Sequence, residues 1–352
     1  MPDCHPFLVV VGGFLGAGKT TLILKAAELL QRNGKRVAAI LNDQGAELVD
    51  TTLVRNHGIS AEQVAGGCFC CRFSDLVGAA ERLKQYRPDV IFAEAVGSCT
   101  DISATTLQPL KRDYAGAFRL APYTVLVDPS QLLEVRSGAS DPEIAFLFQK
   151  QLEEADLVCI TKTDLYQEDV SLGQSPVRYL SAVSGAGVTA WLDELGSGVL
   201  PVGGTILAID YEQYARAEAA LAWLNCRFRL DFVTPLSPPV VTGQLLDGLD
   251  AQLIAQNVRI VHLKMMDETS SGYIKAAVTA NNQEPSVEGD LTASPARRHN
   301  LLLNIRAMAS PEILQNIVLQ QIKQPAGSLQ IESFQCFSPA PPKPECRLST
   351  VV

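Results

Sequence analysis

The sequence predicts an α/β protein: a doubly wound, mostly parallel sheet with a smaller C-terminal α+β domain. Three observations carry that prediction. Short apolar runs alternate with helical patterns through the first half of the 352-residue chain. That alternation builds parallel sheets through crossover connections. The run Val9-Val10-Val11 opens into a glycine-rich turn, and the turn leads straight into a helical pattern. After the stretch GSGVLPVGG at 196–204 the character changes to a small α+β pattern.

In order, residues 7–12 read as a strand. Residues 19–31 read as a helix with apolar positions Leu22, Ala26, Leu29 and Leu30, ending near Asn33-Gly34. A strand follows at 36–41. Residues 42–72 are polar and glycine-bearing, and predict a long region with only local structure. Loops of that length in a compact domain are usually functional. Ser74 is the expected cap of a helix reaching about Tyr86, with Pro88 marking its end. Residues 89–93, 123–127, 157–160 and 177–181 are strand runs. Helices lie between them, including 141–154, with a last one at 188–195. These elements make residues 1–195 the first domain and 196–205 a linker.

The second domain, 206–337, opens with a helix at 210–224 that has Tyr214, Ala217 and Leu221 on one face. A strand at 225–232 and a helix at 240–257 follow. Strands at 259–266, 272–280 and 300–307 precede a last helix at 311–323, and 287–295 reads as a turn or loop. The proline-rich stretch from Ser338 predicts a disordered tail over 338–352.

Composition narrows the function. Hydrophobic residues are 47% of the chain and charged residues 19%, which suits a soluble protein with a sizeable core. A net charge of −9 argues against non-specific binding to nucleic acid or an anionic membrane. No apolar run approaches the ~18 residues of a membrane span. The N-terminal run enters the glycine turn without a basic region or cleavage-type signal. The expected compartment is the cytoplasm. Nine cysteines there read as thiols, metal ligands or core residues rather than disulfides.

The glycine turn is chemically specific. From Gly13 the spacing is G-x-x-x-x-G-K-[ST], a phosphate-binding loop that includes Gly16, Ala17, Gly18, Lys19, Thr20 and Thr21. Glycines let the backbone point its N–H groups at phosphates. Lys19 would reach the β- and γ-phosphates, and the Thr20 hydroxyl would ligate Mg2+. The strand at 89–93 runs into Glu94, where a carboxylate holds that ion directly or through water. Gly97 follows in Glu-x-x-Gly, and its backbone amide is placed to contact the γ-phosphate. The strand 157–160 runs into Thr161-Lys162-Thr163-Asp164, similar to the guanine-specifying Asn-Lys-x-Asp box. The Asp164 carboxylate would accept two hydrogen bonds that adenine does not offer, and the Lys162 stem would cover the base. Ser181-Ala182, after the next strand, resembles the loop whose backbone meets the guanine O6.

A second motif is Gly66-Gly67-Cys68-Phe69-Cys70-Cys71. In a straight strand Cys71 would face away from Cys68 and Cys70, so the glycines must allow a curl. Thiolates select zinc, Cu(I) or iron–sulfur chemistry, and zinc comes first here. Three thiolates leave one position open, which suits a site that hands metal on. Glu47, His57 and Cys99 are candidate extra ligands. Buried inert cysteines and a redox-sensing pair are the competing readings.

With these residues in view, the chain resembles the CobW-like GTPases, relatives of those that help insert nickel into hydrogenase and urease. The resemblance rests on residues 13–20, 66–71, Glu94-x-x-Gly97 and 161–164, and covers roughly the first 200 residues. It implies a P-loop GTPase domain, metal binding at the thiols, and delivery of metal to a client metalloprotein or cofactor-assembly protein. A homodimer follows only by analogy. The chain departs from the family at Asp43, where Asn-Glu-x-Gly is usual. It has no histidine-rich stretch, and it diverges past Phe232, so partner identities do not carry over. Asp43 or Glu47 would orient the attacking water. No glutamine or arginine finger is evident, so intrinsic hydrolysis is expected to be slow. The competing functions are a nucleotide-gated regulatory or scaffold protein with little turnover, and an ATP-using enzyme.

Overall fold

The structure is a computed structural model that describes residues 5–45, 48–166 and 176–352. Cys4 and Glu47 lie outside the described residues. The chain divides into two compact units. One comprises the chain up to Gln44, Asp50–Ala217 and Pro341–Val352; the other comprises Gly45–Val49 and Glu218–Ala340.

The first unit is built on β1 (Phe7–Gly13), β2 (Val37–Asp43), β3 (Ser60–Ala65), β4 (Val90–Glu94), β5 (Arg119–Leu120), β6 (Thr124–Val127), β7 (Leu157–Ile160) and β8 (Val177–Tyr179). Their order is β3-β2-β4-β1-β6-β7-β8, with β5 also beside β1. Every described pairing is parallel. The central strands are buried and mostly apolar because helices cover both faces of such a sheet. Those helices are α1 (Lys19–Arg32), α2 (Val49–Asn56), α3 (Phe73–Leu83), α4 (Gln108–Tyr114), α5 (Pro129–Ser137), α6 (Pro142–Glu154), α7 (Val188–Gly196) and α8 (Tyr211–Ala219). Asp128 and Asp141 cap α5 and α6 by accepting the N–H of Ser130 and Glu143, and a proline sits in the first turn of each. The chain leaves β1 for one side of the sheet and β6 lies on the other. Ligands in such sheets sit at this reversal, beyond the carboxyl ends of the strands.

The second unit is an antiparallel sheet of β9 (Ala222–Leu236), β10 (Arg259–Thr269), β11 (Gly272–Val278), β12 (Ser286–Gly289), β13 (Ala296–Met308) and β14 (Ser328–Phe337), ordered β12-β11-β10-β13-β9-β14. Its helices α9 (Pro238–Ala255) and α10 (Pro311–Gln321) place Leu245, Leu249, Leu253, Leu314 and Val318 in one core with Leu224, Cys226, Phe228 and Leu230 of β9.

Several elements differ from the sequence expectation. Residues 42–72 hold α2 and β3, not only local structure. β3 is an edge strand with partly exposed positions, so it lacks a buried apolar run. The helix expected over 210–224 stops at Ala219. From Leu224 the alternation of apolar and polar residues has period two, and that half-buried pattern puts the segment in β9. β14 is another edge strand without a strong apolar pattern, and Ser286–Gly289 is a strand where a turn or loop is expected. The tail is not disordered: Glu345 N–H donates to the Cys70 carbonyl (3.0 Å) and Leu348 N–H to that of Ala104 (3.0 Å). Proline content signals poor helix and sheet formation, but it carries no information about remote backbone partners.

A buried polar group braces the exit from β4. Ser103–Leu107 forms a π-helical turn, a deviation that often marks functional segments. Glu154, at the end of α6, is buried and accepts from Thr100 Oγ1 (3.1 Å) and the Ser103 N–H (3.1 Å). Burial raises its pKa from 4.5 to about 8, because desolvation penalises the charged form. The folded protein therefore holds a proton that the unfolded chain releases at lower pH. This contribution to stability is complete below the unfolded pKa and is lost as pH rises toward the folded value, on the order of a few kcal/mol in all. The melting temperature is expected to fall between about pH 5 and pH 8. Glu154→Gln should flatten that slope in thermal melts run across the same range.

Candidate functional site

The phosphate loop leaves β1 at Gly13, whose φ is 125°. A Cβ there would stand 2.4 Å from the Leu126 carbonyl oxygen of β6, so only glycine allows this approach. Gly18, at φ 92°, enters α1 in the left-handed region. Lys19 is buried and its Nζ donates to the carbonyls of Gly13 (2.7 Å) and Phe14 (3.1 Å). The ammonium is thus held against the same loop whose N–H groups would receive phosphate.

Thr20 is the meeting point of three elements. Its Oγ1 lies 2.9 and 3.1 Å from the two Glu94 carboxylate oxygens and 3.0 Å from Asp50 Oδ1. A hydroxyl and two carboxylates are hard oxygen donors, the set that suits Mg2+. Asp50 was not singled out by sequence. Its only signal is an acid in the first turn of α2, inside the stretch expected to lack regular structure. Asp43 ends β2 opposite Ala65, at the carboxyl edge of the sheet. Gly97 lies against the phosphate loop: a Cβ there would be 2.9 Å from the Leu15 backbone nitrogen. The segment is held from α6, where Gln151 Nε2 donates to the carbonyls of Gly97 (2.9 Å) and Cys99 (2.9 Å).

The residues expected to read the base follow β7 and β8. Thr161, which stands where an asparagine is usual, donates its hydroxyl to the carbonyls of Ala17 (3.0 Å) and Val127 (3.1 Å). It ties the turn after β7 to the phosphate loop. Lys162 is in the left-handed region at φ 57° and pairs with buried Asp128, a partner that sequence reasoning missed. Asp164 is exposed in the next turn. Ser181 is buried and its Oγ accepts the Ser184 N–H (3.1 Å), with Ala182 beside it.

The thiols converge. Gly66 takes φ 77°, and the N–H groups of Cys71 and Arg72 both donate to the Cys68 carbonyl (3.0 Å each), which closes a turn. Asn42 Nδ2 anchors it by donating to the carbonyls of Val64 (2.9 Å) and Gly67 (2.7 Å). The sulfur separations are 2.6 Å for Cys68–Cys70 and 3.6 Å from Cys71 to each. Zn–S bonds near 2.3 Å in a tetrahedron give edges of about 3.8 Å. Two edges are close to that, and the third would open by about 1 Å. Cys68 and Cys70 are buried, and Cys71 is partly exposed. Contact with Cys68, its own burial and the other neighbouring thiols push Cys70 well up, and contact with Cys68 leads in raising Cys71 to about 11. Thiols packed together resist sharing negative charge; a dication reverses that penalty. Cys99 is buried and close enough to raise the pKa of the Cys68 and Cys70 thiols, but it lies outside the group of Cys68, Cys70 and Cys71 whose sulfurs could hold one ion. His57 is exposed beyond α2 and is not part of the group that could hold a metal among the described residues.

Residues 7–186 match the nucleotide-binding domain shared by CobW, HypB and UreG. The chain is similar to the zinc chaperone YeiR of Escherichia coli (strain K12), with 30% identity over 159 residues, 44% of this chain and 46% of that protein. It is similar to the zinc chaperone CobW of a Sinorhizobium species, with 31% identity over 181 residues, 44% of this chain and 50% of that one. It is also similar to zinc-regulated GTPase metalloprotein activator 1 of Schizosaccharomyces pombe (strain 972 / ATCC 24843), with 29% identity over 171 residues, 46% of this chain and 40% of that one. The chain spans about half the length of these curated relatives.

Proposed function

The chain belongs to the CobW/HypB/UreG nucleotide-binding domain family, and on that premise we propose that it is a GTP-hydrolysing metallochaperone that carries zinc or a similar ion on Cys68, Cys70 and Cys71. One observation carries the reading. Within eight residues, the segment 94–101 presents Glu94 to Thr20, lays Gly97 on the phosphate loop and brings Cys99 close enough to raise the pKa of the Cys68 and Cys70 thiols. A change at the nucleotide therefore has a covalent path of two to five residues to Cys99.

Lys19 and the loop N–H groups bind the phosphates, and Asp164 and Lys162 select and cover guanine. Thr20, Glu94 and Asp50 would hold Mg2+, which supplies charge neutralisation on the phosphates. Asp43 orients water at the carboxyl edge of β2. Cys99 lies beside the thiolate set around the cargo. The recipient is a client metalloprotein or cofactor-assembly protein, in the cytoplasm, with a homodimer as the assembly to test.

An effector acts only through different affinities for two states. Protein purified without oxygen is expected to bind zinc about tenfold or more differently with a non-hydrolysable GTP analogue than with GDP. Competition against a chromophoric chelator reads this, and equal affinities would remove the coupling.

A further inference from the structure

We propose that the C-terminal segment Pro341–Val352 is a strap across the thiolate site, latched to the segment that follows Glu94, so that metal enters and leaves when the strap lifts. The proposal rests on the metal reading of the thiols. Lys343 N–H donates to Cys71 Sγ (3.1 Å), and Cys71 is the most exposed of the three clustered thiols. Two residues on, the Glu345 N–H donates to the Cys70 carbonyl (3.0 Å). The cluster thus has the strap's backbone on its open side.

Two side chains fasten the strap. The Glu345 carboxylate accepts the N–H (2.9 Å) and hydroxyl (2.6 Å) of Ser74 in the first turn of α3. That helix has no capping side chain of its own at Arg72. A carboxylate at a helix N-terminus satisfies orphan donors and meets the positive end of the dipole. Arg347 Nε then donates to Asp101 Oδ2 (2.7 Å), and its Nη2 donates to the Leu207 carbonyl (2.8 Å). Asp101 is buried, takes φ 65° and also accepts from Tyr211 (2.6 Å). Beyond the latch, Leu348 N–H donates to the carbonyl of Ala104 in the π-helical turn (3.0 Å).

The placement of the latch gives the strap its logic. Asp101 is two residues from Cys99 and four from Gly97. A shift of that segment with the γ-phosphate moves the carboxylate that Arg347 holds. The same shift that rearranges the thiols thereby loosens their cover.

Two measurements on the full chain test this. In hydrogen–deuterium exchange, the amides of Lys343, Glu345 and Leu348 should be protected by about 100-fold or more over a free peptide of the same sequence. Free-peptide rates overturn the strap whatever the thiols bind. In the zinc-loaded protein, Glu345→Gln and Arg347→Gln should each speed zinc transfer to excess EDTA by about tenfold, with zinc stoichiometry unchanged. Unchanged protection at Val9–Val11 shows that each variant is folded. Rates equal to wild type overturn the gate even if the strap is seated. Wild-type protein that holds no zinc removes the metal reading, and the gate with it.

Discussion

Cys70→Ala is expected to weaken zinc binding by about 100-fold or more, equivalent to ~3 kcal/mol, while leaving GTP affinity unchanged. Cys70 is the residue to replace because it is buried and its sulfur touches both partners, at 2.6 Å to Cys68 and 3.6 Å to Cys71. Its loss leaves two sulfurs, Cys68 and Cys71, 3.6 Å apart. Alanine removes one sulfur from a small buried side chain, and the turn itself is closed by backbone bonds to the Cys68 carbonyl and by Asn42. The fold should therefore survive. Zinc affinity should also climb steeply with pH in the wild type, since binding must displace protons from thiols held above their ordinary range. Chelator competition at several pH values measures both effects. Unaltered zinc binding in the variant would return the three thiols to the class of inert core cysteines.

Asp164→Ala is expected to lower GTP affinity by about 100-fold and leave ATP affinity where it was, which erases base preference. A charged acceptor contributes ~1.5–3 kcal/mol per hydrogen bond, and guanine offers two donors to it. The variant is clean because Asp164 is exposed. The turn that presents it is fixed elsewhere: by Thr161 on the Ala17 and Val127 carbonyls, and by Lys162 on Asp128. Those contacts explain how threonine serves at the position of the usual asparagine, since its hydroxyl reaches the phosphate loop. Titration with fluorescent GTP and ATP analogues reads the change. A wild-type protein that binds ATP as tightly as GTP would remove the guanine reading.

Much of this site was legible because its chemistry is local. Gly13, Gly16 and Gly18 need backbone angles that few other residues adopt, and Lys19 follows at a fixed helical offset. Glu94 and Thr161 sit at the ends of short apolar runs, where a parallel sheet puts its ligands. Asp50, Asp128 and Asn42 were not legible in this way. Each is an ordinary polar residue whose role comes from a partner 30, 34 or 25 positions away.

By itself the sequence determined the alternating α/β core, the phosphate loop, the turn after β7 and a thiol-rich turn. Periodicity and glycine placement act over a few residues, so the chain's own order encodes them. Only the tertiary structure decided that β3 and β14 are edge strands and that the pattern from Leu224 belongs to a strand. Only it decided that Cys99 lies near the thiols and that the backbone of Lys343 and Glu345 bonds to Cys71 and Cys70. Edge strands and extended tails are held by backbone N–H and C=O groups, which every residue type carries. Composition does not encode those partners, and the fold alone brings them within reach.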